Sequence, residues 1–194
     1  MVDAFPDVSI REYVQRGLGY SLLGKADQRA IFMLHGPSGT GKSVLPSVMS
    51  AVFGGYGITA PASTFRLKAH METLDLTRRR GARFITTSEL PEGQQLDEDL
   101  VKRFTGTDKV MSRGHYQDFI EWQPTGVIWL ATNYLPKISS DDNAIWKRAK
   151  SIRMATEFTG DGREEIAGYA KILAREADGI LNWLLDGLTS YRDQ

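Results

Sequence analysis

The chain contains no cysteine. That excludes disulfides and thiolate-held metals, and it agrees with a reducing, intracellular setting. It also lacks any excess of charge, with 24 Lys+Arg against 24 Asp+Glu. Proteins that hold nucleic acid through bulk electrostatics are usually basic, so any such contact here must rest on a few placed residues. No apolar run approaches the roughly 18 residues of a membrane span. The first residues, Met1-Val2-Asp3-Ala4-Phe5-Pro6-Asp7, have neither the basic region nor the apolar core of a signal peptide. The expected location is the cytoplasm, with no membrane partner. Internal repeats and low-complexity tracts are missing too. What remains is ordinary globular material, 41% hydrophobic and 25% charged over 194 residues, sized for one domain with a small helical appendage.

The strongest feature present is Gly36-Pro37-Ser38-Gly39-Thr40-Gly41-Lys42-Ser43, a full match to the G-x-x-x-x-G-K-[ST] phosphate loop. Ile31-Phe32-Met33-Leu34-His35 before it reads as a buried parallel strand, and Val44 to Phe53 after it as a helix. The glycines let backbone N–H groups close on phosphate oxygens, and the helix N-terminus adds partial positive charge. Lys42 is placed to reach the β- and γ-phosphates, and the Ser43 hydroxyl to bind Mg²⁺, so ATP and Mg²⁺ are the expected ligands. The alternative is a glycine-rich turn that binds nothing. The match at every fixed position, in strand–loop–helix context, argues against it.

Along the chain, residues 8–23 read as a helix that Gly24 ends. Residues 58–60 begin a second strand, and 64–80 look helical. Arg78-Arg79-Arg80 read most simply as a solvated helix end, with nucleic-acid contact as the sharper alternative. Residues 83–89 form a strand ending in Glu89, and 96–104 a helix. Two β-rich runs, 109–113 and 119–122, flank a loop and suit a hairpin. Residues 126–132 form a buried strand running into Asn133, 141–149 a helix, and 151–154 a last strand. Helices at 163–177 and 180–191 close the chain, the second with a broad apolar face read as core. Alternating strands and helices predict an α/β fold, a central parallel sheet with helices on both faces. The expected division is an N-terminal helical segment (1–28), a phosphate-loop ATPase core (29–158) and a C-terminal helical segment (159–194). Nucleotide then belongs at the carboxyl ends of the strands, where the phosphate loop, Glu89 and Asn133 all fall.

Hydrolysis of a γ-phosphate needs a metal, a positioned water and cations against developing charge. Glu89 is the candidate to orient or deprotonate the water, or to hold Mg²⁺ through water; Glu92 is a weaker one. Ser88 stands where many phosphate-loop ATPases carry a metal-binding Asp, which leaves Mg²⁺ mainly to Ser43. Asn133 is placed to bond the γ-phosphate or the attacking water. Arg148, in Ala144-Ile145-Trp146-Lys147-Arg148, is a candidate to stabilise transition-state charge, with Lys147 assisting; the plain alternative is a surface basic pair.

The order of these segments resembles superfamily III helicases, AAA+ ring ATPases of small viruses and mobile elements. It is most similar to the helicase domain of phage and plasmid primase-helicases. The residues that carry the likeness are Gly81-Ala82-Arg83, Lys102-Arg103-Phe104-Thr105-Gly106, Trp129-Leu130-Ala131-Thr132-Asn133-Tyr134-Leu135-Pro136 and Gly179-Ile180-Leu181-Asn182-Trp183-Leu184. The resemblance implies an AAA+-like three-layer core with an inserted β-hairpin. It implies a homo-hexameric ring moving along single-stranded or forked DNA, usually 3′ to 5′. It makes Lys42 and Ser43 the phosphate-loop pair, Glu89 the acidic position, Asn133 the sensor and Arg148 an arginine finger reaching a neighbouring subunit. It assigns the hairpin to DNA, with Lys109, Arg113 and His115 as phosphate contacts and Tyr116 stacking on a base or sugar. Gln117 departs from the basic residue expected near that point. Such domains usually follow a primase or origin-binding domain, so this chain is expected to be an excised domain, a minimal helicase, or a subunit loaded by another protein. Two other classes compete: a small-molecule phosphotransferase, and an ATP-switched DNA-binding or assembly module that does not hydrolyse.

Overall fold

The computed structural model describes residues 1–67, 77, 79–87, 90–113, 116, 118–139, 143–158 and 166–193. Five strands form one all-parallel sheet. They are β1 (Ile31–His35), β2 (Gly57–Ala60), β3 (Phe84–Thr87), β6 (Val127–Thr132) and β7 (Ala149–Arg153), in the order β2-β3-β6-β1-β7. A separate antiparallel hairpin pairs β4 (Val110–Ser112) with β5 (Ile120–Trp122). The described helices are α1 (Val8–Ser21), α2 (Val44–Phe53), α3 (Glu98–Phe104), α4 (Asn143–Arg148), α5 (Tyr169–Leu173) and α6 (Ala177–Arg192).

The central strands β1 and β6 are buried on both faces because both faces are covered, as a parallel sheet requires. Alternate residues go to opposite sides. Ile31 and Met33 of β1 and Ile128 and Leu130 of β6 enter one core with Leu100, Val101 and Phe104 of α3 and Ile145 of α4. Phe32, Leu34, Val127 and Trp129 enter the other, with Val48, Met49 and Phe53 of α2, Leu18 of α1 and Leu184 of α6. Phe32 stacks on Trp129 at 4.2 Å between ring centroids. The helix after β1 therefore lies on one face, and the helix after its neighbour β6 on the other. Where adjacent strands send their helices to opposite faces, a crevice opens at the carboxyl ends of an α/β sheet.

Helices α1 and α6 pack backbone against backbone. A Cβ on Gly19 would stand 2.3 Å from the Leu188 nitrogen, and one on Gly187 2.3 Å from the Gln15 carbonyl oxygen. The Gln15 side-chain amide donates to the Trp183 carbonyl at 2.9 Å across the same crossing. Helix α6 is part core, with Leu184 buried, while Leu181 and Leu185 are exposed.

Several expectations shift. Residues 64–67 are not α-helical: Ala62–Thr64 is a 3-10 turn and Arg66 forms an antiparallel bridge with Leu96. The backbone there is taken by the 95–97 segment, with Leu67 N–H donating to Gln95 and Asp97 N–H to Phe65. Leu96 thus pairs as a bridge, and α3 begins after Asp97, whose carboxylate accepts from Leu100 N–H at 2.9 Å as an N-cap. Arg79 is not a solvated helix end; it is 2% exposed and donates to the Thr64 hydroxyl at 2.8 Å. Strand β7 starts two residues earlier than expected, because Ala149 and Lys150 already pair with Ile31 and Phe32. The penultimate helix is the short α5, followed by a 3-10 turn over Ala174–Glu176, and the last helix starts at Ala177. Residues 68–76, 78 and 163–165, included in the expected helices, lie outside the described residues, as do Ser88, Glu89, His115 and Gln117.

Candidate nucleotide-binding site

The phosphate loop, Gly36 to Ser43, joins the carboxyl end of β1 to the head of α2. Its shape depends on glycine. Gly36 has φ 154°, and a Cβ there would lie 2.0 Å from the Met154 carbonyl oxygen. Gly39 and Gly41 have φ 77° and 81°, in the left-handed region that favours glycine. The loop carbonyls are turned to partners in the protein. Gly39 O accepts from Phe158 N–H at 2.8 Å, and Gly41 O from Val44 and Leu45 N–H. The peptide unit is planar and trans, so the N–H groups of Thr40 and Lys42 point away from those partners. Successive N–H groups turned to one side make an anion-binding concavity. With the buried Lys42 ammonium inside it, the loop carries the donor types that phosphate oxygens take.

Lys42 is only 8% exposed; its ammonium donates to the Pro37 carbonyl and, at 3.3 Å, to the Thr40 hydroxyl. Thr40 in turn donates to Pro37 O at 3.0 Å. The cation is held inside the loop, at the place where anion oxygens would compete for it. Ser43 is exposed at the head of α2, and its hydroxyl makes no capping bond to that helix, so it is available as a Mg²⁺ ligand. Pro37 and Ser38 form the exposed outer turn.

His35, the last residue of β1, was not singled out by the sequence. It lies between Thr132 of β6 and Arg153 of β7. Burial pushes its imidazole below the ordinary value, and the charges of Arg153 and Lys42 act the same way. The His35 imidazole beneath the loop therefore resists protonation more than a free one.

Asn133 follows Thr132, the register partner of His35, so it and Gly36 are the first residues beyond two paired strands. Thr132 is buried and donates to Tyr134 O at 2.7 Å and, at the long limit of 3.5 Å, to Leu90 O. This ties the segment after β3 to the end of β6, next to Asn133. Glu89 itself is outside the described residues.

Arg148 is not brought to this site. It ends α4 immediately before Ala149, which pairs with Ile31 at the amino end of the sheet. Six residue steps of strand, about 20 Å, separate its level from Gly36. Its Nε donates to the Thr105 hydroxyl at 3.1 Å and its Nη1 to Ala144 O at 2.9 Å. Thr105, part of the stretch that carries the family likeness but given no role there, is 1% exposed and donates to Val101 O.

The hairpin carries the other candidates. Val110 and Trp122 anchor it in the core, and Trp122 Nε1 donates to Ser112 at 2.8 Å. Lys109 is engaged with Glu121 at 2.8 Å, and that hydrogen bond raises its pKa. Arg113 lies over the Phe119 ring at 5.0 Å. Tyr116 is 98% exposed.

Residues 34–148 match the family of unknown function DUF5906. The chain belongs to that family. This DUF5906 chain is 28% identical over 158 residues to the helicase-named protein L207/L206 of Acanthamoeba polyphaga mimivirus, covering 79% of this chain and 16% of that protein. It is 23% identical over 191 residues to the helicase-named protein V13 of Sputnik virophage, covering 90% of this chain and 24% of that one. It is 28% identical over 165 residues to primase D5 of fowlpox virus, covering 77% of this chain and 19% of that one. The DUF5906 chain thus spans about a sixth to a quarter of the length of these relatives. The apo C-terminal region of NrS-1 superposes with a TM-score of 0.71 at 11% identity, covering 95% of this chain and 44% of that one. The DUF5906 fold is that of an α/β, phosphate-loop NTPase type of domain with a five-stranded parallel sheet. Among the described residues no helix is long and apolar enough to cross a membrane.

Proposed function

We propose that this chain is the ATP-hydrolysing core of a DNA helicase of the superfamily III (AAA+) kind, working as a ring on single-stranded or forked DNA. The observation that carries the reading is the pairing of His35 with Thr132, which sets the phosphate loop beside Asn133. The helicase and primase names of the viral relatives support the DNA part. The hydrolytic core is taken as residues 29–158, with helical segments before and after it.

In this reading Lys42 exchanges the Pro37 carbonyl for β- and γ-phosphate oxygens, and Ser43 contributes its hydroxyl to the metal. Mg²⁺ held there would supply positive charge against the charge that develops on the transferred phosphoryl group. Glu89 orients a water and takes its proton as the oxygen attacks the γ-phosphorus, while the bond to the β–γ bridging oxygen breaks and ADP leaves. Asn133 holds the γ-phosphate or the water in line. Arg148, distant from its own loop, acts on the loop of a neighbouring copy. Tyr116 and Arg113 meet DNA at the hairpin tip, and a primase, origin-binding or loader protein places the ring.

The test is ATP-dependent displacement of a labelled strand from a forked duplex. Displacement that Lys42→Ala abolishes supports the proposal. ATP hydrolysis tied to phosphorylation of a small acceptor, with no effect of DNA, contradicts it and favours a phosphotransferase.

A further inference from the structure

We propose that Phe158 is the stacking platform for the base of the nucleotide whose phosphates the loop holds. The inference rests on the nucleotide-binding reading above. It follows from the strand order. In the sequence β3-β6-β1-β7, the reacting end of the triphosphate faces β6, where Asn133 stands beside the loop. The nucleoside must then leave on the other side of β1, toward β7.

The chain beyond β7 is built against the loop on that side. Met154 N–H donates to His35 O at 2.8 Å, and the Met154 carbonyl occupies the space that a Gly36 side chain would need. Four residues on, Phe158 N–H donates to Gly39 O at 2.8 Å. This bond fixes the Phe158 backbone to the loop. Its ring edge lies 3.7 Å from where a Gly41 Cβ would be. Yet Phe158 is 37% exposed. An aromatic held by its own backbone beside a phosphate cradle, and still partly open to solvent, suits a heteroaromatic base. Such a ring recognises the face of the base and leaves its edge unread.

Base–aromatic stacking predicts a loss of about five-fold to 150-fold in affinity when the ring is removed. The experiment is calorimetric titration of this chain with Mg·ATP and, separately, with Mg·tripolyphosphate, for wild type, Phe158→Ala and Phe158→Trp. The expected result is that Phe158→Ala weakens ATP by that factor and leaves tripolyphosphate within two-fold, while Phe158→Trp restores ATP. Equal weakening of both ligands would make Phe158 a clasp on the loop and overturn the proposal, as would unchanged ATP affinity. Wild-type binding of neither ligand, or binding that Lys42→Ala leaves untouched, would remove the nucleotide reading itself and the platform with it.

Discussion

If Arg148 serves the phosphate loop of a neighbouring copy, two inactive variants should repair each other. Lys42→Ala lacks the loop cation but keeps Arg148; Arg148→Ala lacks the arginine but keeps the loop. The structural cost of the second change is small. It removes hydrogen bonds to Thr105 and Ala144, each worth about 1 kcal/mol. For a domain of this size that lowers Tm by about 4–8 °C, well short of unfolding a chain stable by about 5–15 kcal/mol. The catalytic cost is much larger, about a thousand-fold or more for an arginine finger. The two effects are therefore separable by a melt and a turnover assay. In a one-to-one mixture of the variants, half of the sites have an intact Lys42 and half of their neighbours an intact Arg148. About a quarter of the interfaces are then complete, and with independent sites the mixture recovers about a quarter of the wild-type rate. An arginine acting within its own chain gives no recovery, since every chain then carries one broken part. A mixture that stays at the rate of the separate variants, or an Arg148→Ala chain as fast as wild type, would refute the reasoning.

Three further outcomes are expected. His35 is held below 6.5 by burial, Arg153 and Lys42, so the unfolded chain binds the proton more readily. The stability tied to His35 is present above pH 6.5 and is lost as pH falls through the lower folded value; melts should show this acid loss reduced in His35→Gln, and an identical pH profile would contradict it. Gly19→Ala or Gly187→Ala drives a methyl into backbone at 2.3 Å, costing about 1–3 kcal/mol and lowering Tm by about 2–12 °C; an unchanged melt would show that the crossing has slack. Lys109 is already paired with Glu121, whereas Tyr116 is 98% exposed, so Tyr116→Ala should reduce single-stranded DNA affinity at least several-fold more than Lys109→Ala in a fluorescence titration.

Much of the fold could be read from local pattern. Apolar runs bounded by glycine marked β1, and the phosphate loop placed α2 at Val44–Phe53. What local pattern missed was decided by distant partners. Residues 64–67 read as helical until the 95–97 backbone is seen bonding them. Arg79 sits in a basic run that reads as solvated, and only the Thr64 hydroxyl shows why it is buried. Gly19 of α1 and Gly187 of α6 each admit the backbone of the other helix, a role that local pattern does not mark. At the site, the sequence could align the loop and Asn133 by motif, but their adjacency comes from strand order. Phe158 had no motif to mark it; an aromatic five residues past β7 gains meaning only through its bond to Gly39.

The most direct measurement is ATP turnover by this chain with and without single-stranded DNA, with solution mass recorded in both conditions. A ring motor predicts turnover that rises several-fold with DNA, disappears in Lys42→Ala, and accompanies a shift toward a hexamer. Turnover by a monomer, indifferent to DNA, would contradict it.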